Sequence, residues 1–179
     1  TVARNLDPTL DQFSEACTLA RMRLALVFIA LIGLFIDAPG QSRLAQWMPL
    51  AVGAYITVSV GLFLLSERGP QALAEMRWHW LDMLLYTVLV ACGGGAHSVF
   101  YLFFYFAILG ASFRWGWREG VRATVGAVLL FLGVGLAFVK GAQDASYLMG
   151  RAALLLALGL MIAYWGESKV ELRRRLALQ

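Results

Sequence analysis

In a chain of 179 residues, 60% are hydrophobic and only 15% charged, far from the roughly 25% charged fraction of an ordinary soluble domain. The net charge of +4 does not point to nucleic acid, because the cations are spread over short segments instead of forming one basic patch. They read as topology signals in contact with anionic lipid.

Residues 1 to 20 read as an amphipathic leader helix, with Leu6, Leu10, Phe13, Ala16 and Cys17 close to a 3/4 spacing and acidic residues between them. It either lies at the membrane interface or makes a dimer contact. Six mostly apolar stretches follow: Met22 to Ile36, Trp47 to Leu65, Trp78 to Cys92, Val99 to Phe113, Ala123 to Val139, and Leu148 to Trp165. Each approaches the ~20 residues that a helix needs to cross a bilayer, the third and fourth being short. The first is not a signal peptide: Asp7, Asp11 and Glu15 precede it and no small-residue cleavage site follows. Asp37-Ala38-Pro39-Gly40 ends it, and Gly93-Gly94-Gly95 marks a tight turn after the third.

Cations fix the orientation. Arg4, Arg21, Arg23, Arg68, Arg77, Arg114, Arg118, Arg122, Lys169, Arg173, Arg174 and Arg175 fall on one side of the six stretches, and only Arg43, Lys140 and Arg151 on the other. The positive-inside rule therefore places both termini in the cytoplasm. The expected fold is all-α: a six-helix transmembrane bundle over residues 21 to 165, followed by a helix that leaves the membrane at 166 to 179. From the end of the sixth stretch onward Trp165, Leu172, Leu176 and Gln179 form a short stripe, and of the acids Glu167 and Glu171 the second stands three and four residues before Arg174 and Arg175, the spacing of helical ion pairs. It reads as an output stalk or as a positive stop-transfer tail. The chain begins at Thr1 and stops at Gln179 inside a helical pattern, so we expect it to be part of a longer protein.

Few residues in this background carry chemistry. A carboxylate inside a span is costly and by default a functional candidate, which singles out Asp82. It shares a helix face with His79 and Tyr86, and it either locks packing through Arg77, Arg114 or Arg118 or takes part in ligand or proton sensing. His97 lies in the opposite loop, so the two histidines stand at opposite ends of one span and cannot share a metal or haem iron. Cys17 and Cys92 are likewise on opposite sides, which argues against a disulfide or a cysteine metal site.

The segment from Phe100 to Phe106 is densely aromatic, and beside the glycine turn it suits a flat or acyl ligand. The candidate ligand-binding set is Asp82, Tyr86, Gly94, Gly95, His97, Ser98, Phe100 and Phe104. Arg114-Trp115-Gly116-Trp117-Arg118 reads as an interfacial anchor or as a lever between spans four and five. No hydrolase elbow, P-loop, dinucleotide fingerprint, metalloprotease helix or pair of inward carboxylates occurs, so no catalytic or metal site is expected.

Leu81-Asp82, Ser98-Val99-Phe100-Tyr101, Phe113-Arg114-Trp115-Gly116 and Val121-Arg122-Ala123-Thr124 resemble spans three to six of the diffusible-signal-factor sensor histidine kinases of bacteria. Gly94-Gly95-Ala96-His97-Ser98-Val99-Phe100 is similar to the short loop associated with quinone in redox sensor kinases, with Ser98 and Val99 where those have Asn and Pro. The sensor kinases of type IV pilus systems share the six-span layout. The resemblance implies an inner-membrane input module that works as a homodimer. It also implies a membrane-soluble signal, fatty-acid-like or a quinone, and a phosphoacceptor helix pair and ATP-binding domain after Gln179 that address a response regulator. No resident cofactor beyond such a quinone or lipid is expected. The input module of a membrane diguanylate cyclase and a small-solute transporter are the alternatives, and an intramembrane enzyme would need more ionisable residues than Asp82.

Overall fold

The computed structural model describes residues 25–32, 44–66 and 76–177. The expected leader helix, Cys17, Asp37 to Gly40 and Arg43 lie outside the described residues, as do the side chains of Leu172, Leu176 and Gln179. Six helices stand at the six apolar stretches: α1 (25–32), α2 (Met48–Ser66), α3 (Met76–Cys92), α4 (Phe103–Trp115), α5 (Trp117–Phe138) and α6 (Ala142–Ala177). No strand occurs among the described residues, so the fold is all-α.

Glycine and proline positions explain the boundaries. Pro49 occupies the first turn of α2, where its missing N–H costs nothing. Gly116 separates α4 from α5 with φ +85°, a conformation that side chains with a Cβ avoid. Within the helices, the hydroxyls of Thr57, Thr87, Ser112 and Thr124 donate to the carbonyl four residues earlier, the local bond open to a hydroxyl in mid-helix.

Helices α4, α5 and α6 pack most extensively on one another, while α3 lies against α2, α4 and α5. The contact face of α5 repeats every three to four residues as Gly120, Ala123, Thr124, Ala127, Phe131 and Gly135. That of α6 is Leu148, Ala152, Leu155, Gly159, Ala163 and Gly166. Small residues here let backbones approach closely. A Cβ on Gly159 would stand 2.5 Å from Cγ2 of Thr124, and one on Gly166 would stand 2.7 Å from the Ser112 carbonyl oxygen. A Cβ on Gly120 would collide with the Ser112 hydroxyl.

Large apolar side chains are exposed on the bundle, and a few polar ones are buried within a mostly apolar core. Leu50, Leu84, Leu129, Leu136 and Met161 are exposed, whereas Ser59, His79, Asp82, Ser98, Ser112 and Thr124 are buried. Among the described residues, two helical segments are long and apolar enough to cross a membrane: the 22 residues of α5 and the 26 residues Ala142–Glu167 of α6. The apolar parts of the others, Met48–Gly61, His79–Cys92 and Val99–Trp115, are shorter. Helix α6 has 36 residues and, at ~1.5 Å per residue, is about 54 Å long, well beyond a ~30 Å hydrocarbon core.

Overfilling the small-residue seam costs about 1 to 3 kcal/mol, so Gly159→Leu is expected to lower the thermal unfolding midpoint in detergent. Gly133→Leu, where an added Cβ meets open space, is expected to leave that midpoint nearly unchanged.

Candidate functional site

The glycine turn is built by backbone geometry that only glycine adopts freely. Helix α3 ends at Cys92, the Gly93 N–H donates to the Leu89 carbonyl at 2.9 Å, and Gly94 and Gly95 take φ +95° and +70°. A short 3-10 turn over Gly95–His97 follows, closed by the Ser98 N–H donating to the Gly95 carbonyl at 3.1 Å. Ser98 is fully buried, and its hydroxyl accepts the Phe100 N–H at 3.2 Å, which starts the 3-10 turn Val99–Leu102 that runs into α4. Gly95 lies against α5: a Cβ there would stand 2.9 Å from the Phe138 side chain. A Cβ on Gly93 would collide with the Ser98 hydroxyl.

One side chain from another element ties this turn down. Arg151, on α6, donates through Nη1 to the Ala96 carbonyl at 2.6 Å and to the Ser98 carbonyl at 3.0 Å. Its guanidinium lies 4.5 Å from the centre of the Tyr101 ring and 5.7 Å from that of Tyr147, within cation–π range. Beside it, Nε2 of His97 and Oδ1 of Asp144 are 3.2 Å apart, and the His97 and Tyr147 rings are 5.1 Å apart. The second carboxylate oxygen of Asp144 accepts the Lys140 N–H at 3.1 Å. The turn between α3 and α4 is thereby fastened twice to the start of α6, by hydrogen bonds to a charged group and by an exposed polar pair.

The eight residues singled out from sequence separate into three places. Gly94, Gly95, His97 and Ser98 form the turn. Phe100, Tyr86 and Phe104 are buried behind it in an aromatic cluster with Tyr55 and Phe103. Tyr86 meets Phe103 and Phe104 edge to face at 5.5 and 6.3 Å, and Phe100 meets Phe103 at 5.5 Å, geometry favoured by the ring quadrupole. Phe100 and Phe104 fill the interior and back the turn; they are not laid open as a wall for a flat ligand.

Asp82 is also buried, but toward the other end of α3. There His79 packs against Trp115 of α4 at 5.6 Å between ring centres, and the Arg114 guanidinium lies 5.3 Å from the same indole. Helix α3 runs ten residues on from Asp82 to its end at Cys92, about 15 Å at the α-helical rise, so Asp82 does not join the turn. Among the described residues no group of three His, Cys, Asp or Glu side chains is placed to hold a metal ion.

Arg151, Tyr101, Tyr147 and Asp144 belong to the site and were not singled out. Asp144, Tyr147 and Arg151 stand at i, i+3 and i+7 on α6, one face of a helix. The same rule that flags Asp82 applies to Arg151, an ionisable group inside the sixth apolar stretch.

The two constraints on Gly95 can be separated. Gly95→Ala meets both a positive φ and the Phe138 ring and is expected to destabilise by about 2 to 4 kcal/mol. Gly94→Ala, strained but in open space, is expected to cost only about 1 to 2 kcal/mol, as read by unfolding in detergent. Compared with known proteins, the chain matches no family model, no curated protein and no solved structure.

Proposed function

We propose that the chain is the membrane-embedded input module of a bacterial sensor protein, with six spans, both termini in the cytoplasm, and a place in the inner membrane as a homodimer. The observation that carries this reading is that α6 is continuous from Ala142 to Ala177. The helix fastened to the glycine turn is therefore the same helix that runs on past the apolar bundle, where the sequence turns strongly charged. The many exposed large apolar side chains, Leu50, Leu84, Leu129, Leu136 and Met161 among them, support a lipid environment, and the distribution of Arg and Lys supports the orientation.

In this reading a small hydrophobic signal, a fatty-acid-like molecule or a quinone, reaches the turn from the membrane. A signal that binds one arrangement of the turn and α6 more tightly than another shifts the population of the second. The close contacts of Gly159 and Gly166 with α5 and α4 carry the shift as a movement of packed helices instead of a local bend. The output in this proposal is a histidine kinase that phosphorylates a response regulator, and a diguanylate cyclase would use the same helix.

The chain joined in helical register after Gln179 to the dimerisation and ATP-binding domains of a characterised histidine kinase, in membrane vesicles, provides the test. Gly95→Leu and Arg151→Gln are each expected to change basal autophosphorylation several-fold, with Gly133→Leu as the neutral control. Autophosphorylation unchanged by both turn substitutions, in chimeras that insert and fold, would count against the input-module reading.

A further inference from the structure

The hydrogen bonds of Arg151 use only one corner of its guanidinium. A guanidinium has five N–H donors, and the two on Nη1 suffice for the carbonyls of Ala96 and Ser98. The Nε and Nη2 edge, the fork that matches a planar oxyanion with two parallel hydrogen bonds, meets no acceptor among the described residues. No carboxylate lies in ion-pair range of Arg151 among those residues either. The nearest acid along the helix, Asp144, is occupied by His97 and the Lys140 N–H. A part-buried cation whose protein partners are neutral carbonyls and two tyrosine rings retains its full charge, and in a medium of low polarity that charge favours an anion.

The surroundings set the kind of anion. Tyr147, four residues before Arg151 on α6, is half exposed, and Leu154, three residues after Arg151, is 48% exposed. The surface of α6 around Arg151 thus passes from an amphipathic aromatic ring to bare apolar surface over about two turns. We propose that Arg151 is the head-group site for an amphiphile that carries an oxyanion, a carboxylate or a phosphodiester, on an apolar tail. The proposal rests on the membrane reading above and narrows its signal: a fatty-acid-like anion matches the charge and the fork of this site, whereas a neutral quinone would match its hydrogen bonding alone. Binding would add charge-assisted hydrogen bonds to the open edge without displacing the carbonyls of the turn.

The test uses the full 179-residue chain in phosphatidylcholine nanodiscs at pH 8, with decanoate and methyl decanoate as probes that differ only in head charge. Decanoate is expected to raise the thermal unfolding midpoint saturably, and the methyl ester is expected to leave it unchanged. Arg151→Lys keeps the charge but loses the fork and is expected to weaken decanoate binding roughly tenfold. Since Arg151 also holds the turn, Tyr147→Ala serves as a second variant that leaves both carbonyl contacts in place and is expected to weaken binding by several-fold. In nanodiscs containing phosphatidylglycerol, a midpoint already raised and insensitive to decanoate would assign the anion to phospholipid, whereas a continued response to decanoate would assign it to the single-chain acid. Equal binding of acid and ester, or undiminished decanoate binding by folded Arg151→Lys and Tyr147→Ala, would overturn the proposal. Binding is read without an output domain, so this result and that of the kinase chimera can fail separately.

Discussion

The hydrogen bonds from Arg151 to the carbonyls of Ala96 and Ser98 connect the two parts of the molecule that matter most for its behaviour. Bonds of this kind, to a charged donor, are worth about 1.5 to 3 kcal/mol when their partners are sheltered from water. They hold a segment whose glycines would otherwise leave it with more conformational freedom than any other residue type allows. The turn is therefore ordered from outside, by a side chain more than fifty residues later in the chain. The turn also rests on α5, where Gly95 lies against Phe138, so α5 and α6 share its support.

What α6 does with a change at the turn depends on its packing. The face carrying Gly159, Ala163 and Gly166 sits almost backbone to backbone with α4 and α5, and interiors of this density offer discrete arrangements instead of gradual deformation. On the other side of α3, the ring cluster of Tyr55, Tyr86, Phe100, Phe103 and Phe104 holds α2, α3 and the start of α4 together. The bundle thus combines a stiff aromatic half with a close-packed small-residue half, and the glycine turn lies where the two meet.

The helices were legible in the sequence because apolar runs bounded by glycine and proline leave the backbone little else to do, and Gly93-Gly94-Gly95 announced its turn for the same reason. Which way side chains face was much less legible. In a soluble helix, alternation of polar and apolar residues separates inside from outside, but from Phe100 to Phe106 every residue is apolar, and the pattern cannot say that Phe100 and Phe104 point inward while Phe106 does not. Only small or polar residues break that symmetry, as Ser112, Gly120, Thr124 and Gly159 do along the seam. Arg151 was read as a topology charge, and its reach to the Ala96 and Ser98 carbonyls depends on tertiary contacts that no local spacing encodes. The separation of Asp82 from the turn, by contrast, follows from helix rise alone.

Arg151 couples the order of the glycine turn to the start of α6. Hydrogen–deuterium exchange on the chain in nanodiscs, comparing the native protein with Arg151→Gln, tests this coupling most directly. In Arg151→Gln the amides from Gly95 to Phe100 and those of the first turns of α6 are expected to exchange faster together, with the seam around Gly159 to Gly166 still protected. Unchanged exchange at the turn, or a turn that loosens while the start of α6 stays as protected as before, would contradict the coupling.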